Sequence, residues 1–101
     1  LKRRLKPETL LSELEDVARR LYGELRRDEG FFVTGLCTVH GQTLLVVNTR
    51  QPVAERIAAL AGLIARSEPD RLYLKPAVRE EVERHLLPEY VRVDLKESNG
   101  T

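Results

Sequence analysis

The chain has 101 residues, of which 42% are hydrophobic and 33% charged, and its 17 basic side chains face 16 acidic ones for a net charge of +1. A chain of this length forms one domain, with a core large enough to stand without disulfides or a metal. The balanced charge excludes a general attraction to nucleic acid or anionic membrane and leaves only local patches to provide one.

One cysteine, Cys37, excludes an internal disulfide, and no positively charged leader precedes an apolar run. The longest apolar segment is broken at Glu55, Arg56 and Arg66, too short for a membrane span of about 20 residues. A soluble cytoplasmic protein without membrane contact is expected. Arginine far outnumbers lysine, and Met and Trp are absent. This bias fits a GC-rich bacterial genome and, with the dense charge, a heat-adapted source.

Residues 1–6, LKRRLK, read as a basic lead-in to a single domain over 1–96. Pro7 and Glu8 mark a helix start, because proline fits where the N–H has no partner and a carboxylate favours the positive end. Leu10, Leu14, Val17, Leu21 and Leu25 recur at helical spacing and predict an amphipathic helix to about Asp28, with Gly30 as its stop. Glu15 with Arg19 and Asp16 with Arg20 form acid-before-base pairs one turn apart. Arg26 and Arg27, with Lys2, Arg3, Arg4 and Lys6, read either as a phosphate-binding strip or, given the interleaved acids, as a solvated helix face.

Phe31–Val39 and Thr43–Asn48 are rich in β-branched and aromatic residues and are joined by His40, Gly41 and Gln42, which predicts a β-hairpin. Gly35 within the first strand suggests a bulge or a close backbone approach. In the second strand Leu44 and Val46 face one way and Leu45 and Val47 the other, so it belongs in the interior of a sheet. A helix follows from Pro52 to about Arg66, with Val53, Ile57, Leu60, Leu63 and Ile64 as its apolar stripe. Beside that stripe Ala54, Ala58 and Gly62 recur every fourth residue, small enough for a second backbone to approach, from this domain or from another copy.

Arg71–Lys75 reads as a short strand, Pro76 opens a third helix with Val78, Val82 and Leu86 inward, and Pro88 ends it. Val91, Val93 and Leu95 alternate with Tyr90, Arg92 and Asp94 in a last half-buried strand, and residues 97–101 read as a mobile tail. The order α-β-β-α-β-α-β predicts an α/β fold, bordering on α+β, with a mixed four-stranded sheet and three helices. Right-handed crossovers would make the last three strands parallel, with the first antiparallel beside them.

Cys37 and His40, three apart in extended chain, point to opposite faces and do not pair as nucleophile and base. With His85 they are the only Cys or His residues, one short of a four-ligand zinc site, so no metal and no cofactor is expected. Cys37 reads as a small buried apolar side chain, and His85 as a helix-end residue. Gly35–Thr43, GLCTVHGQT, misses the P-loop spacing and carries Gln42 where that loop needs a lysine.

Gly41–Arg50, GQTLLVVNTR, resembles the hairpin-to-helix segment of restriction-endonuclease-like nucleases, in which a strand bearing E-x-K ends in a polar turn before a helix. The resemblance implies a metal-binding Asp on the preceding strand and the Glu and Lys of that motif. The matching positions here are Gly35, Val46 and Asn48, so a shared fold would lack the nuclease chemistry.

Ligands in open sheets with parallel strands sit beyond the strands' carboxyl ends, which here carry Asn48, Thr49, Arg50 and Gln51 after one strand and Lys75 after the next. Arg50 and Lys75, beside two helix starts, would suit a phosphate or carboxylate. Alternatively Thr49 or Gln51 caps a helix and the two cations are merely exposed; Pro52 and Pro76 each remove a backbone donor from the cradle. The chain thus reads first as a non-catalytic protein acting through protein contact, a homodimer joined by the Ala54/Ala58/Gly62 side or by an exposed sheet edge. Its alternative is a phosphate-ligand or nucleic-acid-binding module using Arg50 and Lys75. An enzyme stands last, for want of an assembled constellation.

Overall fold

The structure, a computed structural model, describes residues 5–67 and 73–85. Within them the order is α1 (Pro7–Tyr22), β1 (Leu25–Asp28), β2 (Gly35–Val39), β3 (Gln42–Asn48), α2 (Val53–Ala65) and α3 (Pro76–Arg84). Among the described residues the fold is α/β with three helices, and the mixed sheet has three strands rather than the four expected, in the order β1-β3-β2.

The strand missing from the sequence reading is β1. Leu25 continues the spacing of Leu21, so Glu24–Asp28 reads as the charged end of the first helix. The chain instead leaves the helix at Gly23, whose φ of 92° is open to glycine and whose N–H closes on Arg19 O at 2.8 Å. Leu25 then pairs with Leu45 and Asp28 with Asn48, parallel to β3. The parallel pair therefore joins β1 to β3, rather than the strands expected after the hairpin. Of the strand expected at Arg71–Lys75, the described residues Tyr73, Leu74 and Lys75 are not in a strand, although Leu74 is buried. The strand expected at residues 90–95, the tail at 97–101 and residues 1–4 of the lead-in lie outside the described residues.

The hairpin forms with a shorter first arm, because residues 29–34 are a loop. Val39 pairs with Gln42, and His40 and Gly41 make a two-residue turn at φ 51° and 79°. Positive φ at both central positions suits the right-handed twist of the arms. β3 takes the central place that its two apolar faces require.

One face of the sheet carries the helices. Leu45 and Val47 of β3 join Leu14 and Val17 of α1, Leu60 and Ile64 of α2 and Val78 and Val82 of α3 in one buried cluster. Leu14 and Val17, Ile57, Leu60 and Ile64, and Val78 and Val82 of the expected stripes are buried, with Val53 and Leu63 half-buried at their margin; Leu25 belongs to β1, and Leu86 and Pro88 lie outside the described residues. Two polar contacts tie the elements together, one between helices and one between helix and sheet. Tyr22 donates its hydroxyl to Leu63 O at 2.9 Å, and Arg27 of β1 pairs with Glu15 of α1, whose carboxylate is buried. The expected Glu15–Arg19 pair is therefore replaced, since Glu15 faces the sheet; Asp16 takes both Arg19 and Arg20 on the outer face.

Candidate functional site

Because β1 and β3 are parallel and β2 is antiparallel to both, the chain between β1 and β2 must cross beyond the carboxyl end of β3. Loop 29–34 does so, and a buried polar group fastens it. Asn48, 3% exposed, donates its amide to Gly30 O at 3.0 Å and to Phe32 O at 2.5 Å. Its Oδ1 accepts the Arg50 N–H at 3.0 Å. Thr34, also buried, donates its hydroxyl to Gln51 Oε1 at 2.7 Å and accepts the Asn48 N–H at 2.9 Å, while its own N–H reaches Gln51 Oε1 at 2.9 Å. Among the described residues no buried side-chain nitrogen or oxygen lacks a partner, so this cluster is closed.

Asn48, Thr49 and Gln51, three members of the expected anion site, are thereby engaged in holding the loop, with Thr49 donating to Asp28 O at 3.2 Å. Arg50 lies over the ring of Phe31, 5.3 Å from its centroid. Lys75 donates to Glu13 at 2.9 Å; that hydrogen bond and the carboxylate's charge raise its pKa above the usual 10.5. Arg50 and Lys75 thus have separate partners, one on the crossing loop and one on α1. Of the small residues on α2, Ala54 and Ala58 are exposed and Gly62 is half-buried; a side chain at 62 would meet Arg66 and the ring of His85. Gly35 and Val46, two of the positions matched to the nuclease motif, face each other across β2 and β3. Among the described residues no three His, Cys, Asp or Glu side chains converge to hold a metal ion.

Among the described residues the second face of the sheet carries no helix. Register places Arg26, Gly35, Cys37, Val39, Leu44 and Val46 on it, beside an open concavity of about 410 Å³ that Phe32 and Val33 of the loop also line. Four apolar side chains near β2 remain in water: Phe31 is 98% exposed, Val33 71%, Leu36 44% and Val39 39%.

The two edges of the sheet differ in kind. β1, LRRD, is guarded by charge, the common protection of a free edge. β2, GLCTV, has neither charge nor proline, and its residues from Leu36 to Val39 are all exposed, whichever face they point to. Cys37, expected in the core, is exposed, because its register with Leu44 turns it to the face opposite the helices. A signal for this edge was present in the sequence: from Phe31 to Asn48 there is no Asp, Glu, Lys or Arg, in a chain one third charged. Comparison with family models, curated proteins and solved structures finds no match.

Proposed function

We propose that this is a non-catalytic protein that works through protein contact, associating with a second copy of itself along β2. The β2 edge, which has no second neighbouring strand among the described residues, carries the reading: a row of unpaired backbone groups on an uncharged strand is a template for another strand. A layer packed on one face would leave the other side of Leu36–Val39 wet, whereas a strand laid alongside covers both. The exposed Ala54/Ala58 side of α2 is the competing surface, but it offers methyl groups without a row of unmet hydrogen bonds.

Sedimentation velocity from low to high micromolar concentration tests the proposal. A rise in sedimentation coefficient toward that of a dimer supports it, and a monomer throughout removes it.

A second reading, recognition of a phosphate-bearing ligand or nucleic acid, keeps one specific support. A guanidinium over an almost fully exposed phenyl ring is a platform on which bases stack. Here Arg50 and Phe31 supply it, with Lys75 already held by Glu13. Anisotropy of a labelled single-stranded oligonucleotide at low ionic strength is the test. No binding, or binding unchanged in Phe31→Ala and Arg50→Ala, eliminates this reading.

A further inference from the structure

From the pairing and exposure of β2 we infer the register of the association: two copies of β2 pair antiparallel about a two-fold axis through Cys37, joining the two sheets into one. The inference rests on the self-association proposed above and specifies its geometry.

The backbone selects this register. A two-residue turn closes on a pair that exchanges both hydrogen bonds, and such pairs alternate along an antiparallel ladder. Val39↔Gln42 is the closing pair, so Cys37 and Gly35 also bond to β3, while the N–H and C=O of Leu36 and Thr38 point outward. With the axis at Cys37, Leu36 of one copy faces Thr38 of the other, and all four outward groups of each strand find partners. Shifting the axis to Leu36 would require the outward groups of Thr34, whose N–H is already bonded to Gln51. Shifting it to Thr38 would require His40, which is in the turn at φ 51°.

Side chains agree with the backbone. In the Cys37 register Val39 lies opposite the partner's Gly35 and Val33 opposite the partner's Gly41, so each exposed valine meets a position with no side chain. The paired strands bring no charge of their own, since Phe31–Asn48 has no Asp, Glu, Lys or Arg. The axis is perpendicular to the sheet, which keeps both helical layers on one side and merges the two open apolar faces on the other. The four exposed apolar side chains bring on the order of 400 Å² per copy, so their burial removes on the order of 800 Å² from water, below the roughly 1,000 Å² of a stable interface and in the range of weak, transient association.

The two Cys37 side chains then sit side by side on the axis, at a pair that does not exchange hydrogen bonds, with Cα atoms about 4.5 Å apart. That separation falls within disulfide range. Mild oxidation with copper-phenanthroline, removing two electrons and two protons per pair of thiols, therefore reports the register. In the wild-type chain a covalent dimer forms on the order of a hundredfold faster than in a Cys37→Ser/Ala58→Cys control, whose thiols meet only by collision. In a Cys37→Ser background, Leu36→Cys or Thr38→Cys alone links no faster than the control, because each thiol lies about 7–8 Å from its own copy across the diagonal. Mixing those two chains restores fast linking.

Sedimentation run in parallel separates the two claims. A dimer that links fastest through position 36 or 38 alone, or that links at Cys37 no faster than the control, overturns this register and leaves association standing. A monomer at every concentration overturns both.

Discussion

Replacing Asn48 with alanine tests how the crossing loop is held. The substitution deletes three side-chain hydrogen bonds, to Gly30 O, Phe32 O and the Arg50 N–H, at a site 3% exposed. At a net value of about 1 kcal/mol for each bond, Asn48→Ala should cost about 3 kcal/mol. A domain of this size has a total stability of about 5–10 kcal/mol, so the variant remains folded and the loss is measurable. Urea denaturation followed by far-UV circular dichroism would show a midpoint lower by about 1–3 M. Asn48→Asp sharpens the test. It keeps the acceptor for Arg50 but sets a carboxylate oxygen against two carbonyls, so at neutral pH it should destabilise at least as much as alanine. A loss below about 0.5 kcal/mol in both variants, the range of ordinary surface substitutions, would refute the role assigned to this side chain.

Two further predictions concern the core and the α1–α3 side of the fold. Leu60 is fully buried, and Leu60→Ala should cost about 2–5 kcal/mol by calorimetry or denaturant titration; a smaller loss would mean that α2 is not packed as described. Lys75 has its pKa raised, by its hydrogen bond to Glu13 and then by that carboxylate's charge. The pair's contribution is therefore fully present below the ordinary lysine value of 10.5 and lost as pH climbs through the raised one. The difference in urea midpoint between wild type and Lys75→Gln should accordingly vanish in strongly alkaline solution. A difference that persists there would show that the ion pair is not its source.

Much of the fold was legible in the sequence because apolar spacing reports burial directly. The stripes at Leu14 and Val17, at Ile57, Leu60 and Ile64, and at Val78 and Val82 all lie inside, and the two apolar faces of Thr43–Asn48 marked the central strand. What escaped were features set by partners distant in sequence. Leu25–Asp28 has the charge of a helix end and becomes a strand only because β3 offers a parallel edge and Gly23 turns the chain toward it. Glu15 looked like an outer-face residue until Arg27 was placed beneath it. The polar turn at Asn48–Gln51 stands out in the sequence, but spacing does not show that Thr34 and the carbonyls of Gly30 and Phe32 engage it. Cys37 reads as interior because small apolar residues default there, whereas its strand is the edge of the described sheet and its side chain points away from the helices.

Association through that edge is the central claim, and sedimentation velocity on two variants tests it most directly. Thr38→Lys places a charge on the outer strand at an exposed position, leaving the β3 ladder untouched, while Ala58→Lys does the same to the competing face of α2. The account predicts that wild type and Ala58→Lys dimerise alike at micromolar concentration and that Thr38→Lys stays monomeric with an unchanged circular dichroism spectrum. Dimerisation abolished by Ala58→Lys and retained by Thr38→Lys would contradict it.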